Sequence, residues 1–231
     1  MSGPLQAGHG PHAPNRARTA SFGSRALLVL LGWLCAPAMA AGLTIDALLA
    51  QLARPAPATT DFIEAHFSAL LARPLIVSGK LEYLGPDSLA RTVESPFHER
   101  TEVQGDNVTV QRANEPVRHF SLERAPELRS LLASFAALLG GSRQGLEQQF
   151  ELDLHGDEHA WTLGLTPRDP RTRQRIRSII VSGQKGEPRC LTTFEANDNT
   201  TVLLIAAAAR QPVPANADRA WLEAQCRGSG G

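Results

Sequence analysis

The chain has 231 residues, with 23 basic side chains, 23 acidic ones and 42% apolar residues. Its first forty residues read as a leader, and removing them leaves 191 residues with 20 basic side chains against 23 acidic, a net charge near −3. That length suits one domain, and that balance argues against a nucleic-acid binder.

The leader reading rests on Arg16, Arg18 and Arg25 ahead of the apolar run Ala26 to Leu34, followed by Ala38-Met39-Ala40 as a cleavage site. Nine apolar residues are too few to span a bilayer, which takes ~20. Gly-Trp-Leu before Cys35 does not make a lipid-attachment site, so the mature chain is expected to start near Ala41, exported and without an anchor.

Thr44 followed by Ile45, Leu48, Leu49 and Leu52 predicts a short amphipathic helix, capped by Thr44 and stopped by Pro55. Thr59 to Leu71 alternates as a first strand. The clearest stretch is Leu75 to Arg91. Leu75, Val77, Gly79, Leu81 and Tyr83 fall on one face, Gly85-Pro86-Asp87 turns, and Leu89 to Val93 runs back antiparallel. Gly79 inside that strand marks a bulge, a bend or a close approach. Phe97 to Gln104, Asn107 to Arg112 and Val117 to Leu122 continue a meander. Leu128, Leu131, Leu132, Phe135, Leu138 and Leu139 then recur at helical spacing between Pro126 and Gly140-Gly141. A second helical stretch, Ser142 to Gln149, precedes strands around Phe150 to Leu154, Trp161 to Leu165, Ile176 to Val181, Arg189 to Glu195 and Thr200 to Ile205. A last helical turn surrounds Trp221 and Leu222. About ten strands without a βαβ repeat predict a mostly β, antiparallel sheet.

Cys190 and Cys226 are the only cysteines beyond the leader. In an oxidising compartment they read as one disulfide, because a reactive thiol would want C-x-x-C spacing or an adjacent histidine. His155 and His159, among Asp153, Asp157 and Glu158, are four apart but flank a predicted turn instead of riding a helix, so a solvated turn is expected and no metal site. No G-x-S-x-G elbow, P-loop, G-x-G-x-x-G or paired carboxylates are found, since Gly140-Gly141-Ser142 is followed by Gln at position 144. Neither a catalytic residue nor a cofactor is expected. Arg168, Arg171, Arg173, Arg175 and Arg177 form a basic stretch, with the last three on one face of the next strand. It reads as a solvated rim or as a contact for anionic head groups or an acidic partner.

Taken in order, the leader, the early helix, S-G-K-L-x-Y-x-x-P-x-x-L from Ser78, the leucine-rich helix, and W-T-L-G-L-T-P from Trp161 before R-I-R-S-I-I-V from Arg175 resemble the periplasmic lipoprotein carrier family LolA, in its divergent LolA-like branch. The resemblance implies an incomplete antiparallel β-barrel with helices as a lid over a hydrophobic concave face. It implies no enzyme but a carrier in the periplasm that shields acyl chains between membranes. The cargo would be an acylated lipoprotein or a lipid, with membrane-bound donor and acceptor proteins and a monomeric carrier. A free fatty-acyl or polyene lipid is the alternative cargo, and an acyl-ester hydrolase or a purely structural module are the readings from other classes. Leu75, Val77, Leu81, Tyr83, Leu89, Trp161, Leu163 and Leu165 are the expected sheet lining of that cavity. Leu131, Leu132, Phe135 and Leu139 are the expected lining from the lid. Ordinary core packing is the competing reading of each. Where the family carries an arginine that holds the lid closed, this chain has Gly85.

Overall fold

The structure is a computed structural model that describes residues 42–124, 126–214 and 217–228. The expected leader lies outside the described residues. The elements are α1 (Ile45–Leu52), β1 (Ala58–Phe67), β2 (Leu75–Gly85), β3 (Ser88–Ser95), β4 (Glu99–Gln104), β5 (Asn107–Arg112), β6 (Arg118–Ser121), α2 (Pro126–Leu139), α3 (Arg143–Gln149), β7 (Phe150–Gly156), β8 (Trp161–Pro167), α4 (Pro170–Arg173), β9 (Ile176–Gln184), β10 (Glu187–Glu195), β11 (Thr200–Ile205) and α5 (Arg219–Arg227).

All eleven strands form one antiparallel sheet in the order β6-β5-β4-β3-β2-β1-β11-β10-β9-β8-β7. The first and last strands of that order remain edges, so the barrel is incomplete, as the resemblance implied. Strands adjacent in the sheet are consecutive in sequence except where β1 meets β11, which joins the two meanders at the middle of the sheet.

Local chemistry explains where the elements begin and stop. The Thr44 hydroxyl accepts the Ala47 N–H at 3.2 Å and starts α1, and the Ser142 hydroxyl accepts from Gly145 to start α3. Gly79 falls at a register shift between β2 and β3, where a Cβ would stand 1.9 Å from the carbonyl oxygen of Thr92. A side chain there would push the two strands apart. The basic stretch departs from expectation. Asp169 accepts from the Thr172 N–H, and Pro170 occupies the first turn, so residues 170–173 wind into α4. Arg173 is therefore helical, Arg177 lies on β9, and the two do not share a strand face.

One face of the sheet packs against α1, α2 and α3. Phe62, Val77, Val93, Leu163, Leu165, Ile179, Val181 and Leu191 meet Leu48, Leu49, Leu52, Leu138 and Leu146 there. The opposite face is also buried at its centre. Ile63, Ala65, Val202 and Leu204 lie under Leu222 of α5 and Ala208 of the 206–210 turn. Cys190 on β10 and Cys226 on α5 form a disulfide that closes a span of 36 residues and holds this small second core together.

Candidate functional site

Register sets Gly79, Leu81 and Tyr83 of β2 opposite Val93, Arg91 and Leu89 of β3, and Leu75 and Val77 continue the same phase of β2, the one that the helices cover. Opposite Leu89 follow Val103 and then Val108, which extend the apolar strip across β4 and β5. Val77, Tyr83, Val93 and Val108 are buried, whereas Leu81, Leu89 and Val103 are only half-buried. Leu75 stands at the start of β2 and is 50% exposed. Phe135, Leu138 and Leu139 of α2 are buried or half-buried, the first two packing into the same cluster, and Leu132 is half-buried. The side chain of Leu131, like that of Leu128, lies outside the described residues.

Across the sheet, Trp161, Leu163 and Leu165 occupy the sealed end of the same face. The Trp161 ring lies against Gly183, where a Cβ would come within 2.3 Å of it. Its indole Nε1–H is buried without a hydrogen-bond partner, a group that costs about 1–3 kcal/mol to leave unsatisfied.

Two features of this face were not singled out in the sequence. The first is an ion pair between Arg91 and Glu64, 3.0 Å apart, with side chains 28% and 29% exposed. The register sets Gly79 between Phe62 of β1 and Val93 of β3. With no side chain in the way, Arg91 crosses β2 to reach Glu64 and stacks 4.8 Å from the centre of the Phe62 ring. The signal was present, because Arg91 alternates in phase with Leu89 and Val93. The second feature is a tether on α2. Arg129 Nε stands 2.9 Å from Asp106 Oδ1 in the β4–β5 turn. This is a charge contact without hydrogen-bond geometry, since Arg129 Nε and Nη2 are shielded from water and make no hydrogen bond. The Asp106 carbonyl also accepts from the Leu122 N–H just ahead of α2. At the other end of the helix the Leu139 carbonyl accepts from the Arg54 N–H after α1. Gly85 offers no side chain to α2; the arginine that contacts the β4–β5 turn is Arg129, carried by the helix itself.

The remaining candidates lie apart from this face. His155 and His159 are exposed at the β7–β8 turn, each beside its neighbouring aspartate. The N–H groups of His159 and Ala160 hold the Asp157 carboxyl below the usual aspartate range. No cluster of three or more His, Cys, Asp or Glu side chains able to hold a metal is found among the described residues. Surface hollows of about 320 Å³ and about 300 Å³ lie at opposite rims of the sheet, one lined by the β1–β2 loop with Asp198 and Arg219, the other by Gln51, Glu158, His159 and Lys185. Among the described residues no helix is long and apolar enough to cross a membrane.

Residues 36–229 match the family described as outer membrane lipoprotein carrier protein LolA-like. No curated protein sequence matches the chain. Among solved structures, a LolA superfamily protein from Nitrosomonas europaea is similar at 11% identity and a TM-score of 0.40, over 71% of this chain and 92% of that one. A putative outer membrane lipoprotein-sorting protein domain from Vibrio parahaemolyticus is similar at 11% identity and a TM-score of 0.39, over 71% and 90%. The Pseudomonas aeruginosa MucA/MucB complex contains a chain similar at 13% identity and a TM-score of 0.35, over 79% and 62%.

Proposed function

The chain belongs to the outer membrane lipoprotein carrier protein LolA-like family, and on that premise we propose that it is an exported periplasmic carrier that takes the acyl chain of a lipoprotein or lipid beneath α2. The observation that carries this reading is the strip Leu81, Leu89 and Val103, apolar and facing the helices yet only half-buried. A finished core leaves no such strip, whereas a face that exchanges a helix for a cargo chain does.

The site needs no chemical step. Cargo enters as α2 lifts from β2 and the contact between Arg129 and Asp106 opens. With side chains 43% and 53% exposed, that ion pair is worth about 0–1 kcal/mol, so it holds the helix without locking it. The acyl chain then covers the residues that Phe135 and Leu138 had covered, gaining ~0.8 kcal/mol per buried methylene before ordering costs. Val77, Leu81, Tyr83 and Leu89 form the sheet side of the site, and Leu132, Phe135 and Leu139 form its movable side. Leu131 is proposed with them from its helical spacing in the sequence. Leu75 is the mouth of the site, and Trp161, Leu163 and Leu165 form its closed end.

The direct test is native mass spectrometry of the chain recovered from its own periplasm, followed by lipid extraction. An acylated peptide or a free lipid is the expected co-purified mass, and which of the two appears identifies the cargo class. Titration with a fluorescent acyl probe complements it. Phe135→Glu or Leu132→Glu is expected to weaken binding at least tenfold while the unfolding midpoint moves by a few degrees. A wild-type chain that carries no lipid and binds no probe ends the carrier reading.

A further inference from the structure

The strand registers send one set of connections to a single rim of the sheet. β1 ends at Phe67 and β2 begins at Leu75; β3 to β4, β5 to β6, β8 to β9 and β10 to β11 turn at the same rim. Of the seven exposed large apolar side chains among the described residues, Leu70, Leu71, Leu75, Phe97 and Val117 are on this rim. Leu70 is 94% exposed. It is held there by a tight turn, in which the Ser68 hydroxyl accepts the Leu70 N–H and the Ser68 carbonyl accepts the Leu71 N–H.

Arginines are interleaved with these residues. Arg73, Arg118 and Arg173 are exposed, and none has an ion-pair partner among the described residues. Arg219 lies 4.9 Å over the Phe67 ring and lines the 320 Å³ hollow behind Leu71 and Arg73. Two acids of this rim lie against arginines, Glu99 against Arg112 and Asp198 against Arg177, while Glu94 and Glu115 are exposed beside them. The opposite rim carries the other set of turns and more acids, with Asp87, Asp106, Asp157, Glu158 and Glu187 beside Lys185 and the already paired Arg54 and Arg129.

We propose that the Leu70 rim docks the protein on an anionic phospholipid surface, with Leu70 and Leu71 entering the interfacial layer and Arg73, Arg118, Arg173 and Arg219 meeting phosphate groups. The physical match is to a surface and not to a protein pocket. The apolar side chains protrude singly, spaced along the rim with guanidinium groups between them, and the charge opposite them must be negative and laterally extended. Each arginine near such a surface contributes about fivefold in partitioning. The docking does not depend on what the helix-covered face binds.

Co-sedimentation of the mature chain with vesicles of phosphatidylcholine alone, or with phosphatidylglycerol added, tests this. Binding is expected only to the anionic vesicles, and to weaken as salt is raised. Leu70→Ser with Leu71→Ser should weaken it about tenfold or more, and Arg73→Gln and Arg173→Gln about fivefold each. Leu84→Ser, on the opposite rim, should leave it unchanged. These side chains are exposed, so thermal unfolding of every variant should match wild type. No binding to anionic vesicles, equal binding to both kinds, wild-type binding by the rim variants, or capture of an acidic protein without vesicle binding would overturn the proposal. Acyl-probe binding by the same variants stays at the wild-type level, which separates failure here from failure of the carrier reading.

Discussion

The two halves of the sheet are built from the same alternation and end in different states. In β8 to β10, Leu163, Val181 and Leu191 are sealed beneath α1 and α3, and the far side of β10 is closed by α5 through the Cys190–Cys226 disulfide. In β2 to β5, Leu81, Leu89 and Val103 are half-buried, Arg91 and Glu64 bring charge onto the same face, and the far side, apart from Ile76 and Ala90, carries exposed and half-exposed ion pairs such as Lys80–Asp61 and Arg100–Glu82. Period-2 patterning says which side chains turn inward. Whether inward means core or site depends on how tightly the covering layer is held.

The largest effect expected is in the sealed half. Ile179→Ala removes a side chain only 2% exposed and should cost about 2–5 kcal/mol of stability, read by urea unfolding, while an acyl probe binds as before. An equal loss of stability from Leu89→Ala in the other half would erase the contrast between them.

Next is the disulfide. Cys226→Ser frees α5 from β10, and with the cysteines 36 positions apart the loss should be about 4 kcal/mol. Acyl-probe affinity should not follow, because α5 lies on the opposite face from the proposed site. A matching fall in affinity would mean that the halves are coupled through the sheet.

The ion pair gives a smaller effect and a sharper one. Glu64→Gln leaves Arg91 half-buried without its carboxylate, which should cost about 1–2 kcal/mol after allowance for solvent. Combining it with Arg91→Gln should cost less than the sum of the two single changes. Additive losses would show that the two charges do not act as a pair.

The smallest effect is at α4. The N–H and hydroxyl of Thr172 donate to the Asp169 carboxylate and hold its pKa below the ordinary aspartate value. Its contribution to stability is therefore complete above that ordinary value and is lost as pH falls through the lower, folded-state one. Asp169→Asn should flatten this acid limb of the stability profile and change little at neutral pH. An unchanged acid limb would remove Asp169 as its source.

Much of this molecule was legible in the chain. Thr44 and Ser142 announced their helices, Gly85-Pro86-Asp87 its hairpin turn, and Pro126 with Gly140-Gly141 the bounds of α2. The strands from Leu75 onward follow the predicted phases, because alternation records one buried face directly. β1 was harder to read: Phe62 and Ile63 are both buried, on opposite faces, since two helical layers cover the middle of the sheet. The arginine stretch misled, because Asp169-Pro170 is a helix start and overrode the strand phase assigned to Arg173.

What the sequence determined by itself is therefore everything that depends on neighbours along the chain: caps, turns, strand phase and the order of elements that carries the family resemblance. Only the tertiary structure decided that β1 pairs with β11, that Arg129 reaches Asp106, that Arg91 crosses over Gly79 to Glu64, and that Leu70, Phe97 and Val117 come to one rim. Each of these joins residues far apart in the chain, and closing such loops costs entropy that no local pattern records. They are fixed only when the whole sheet assembles.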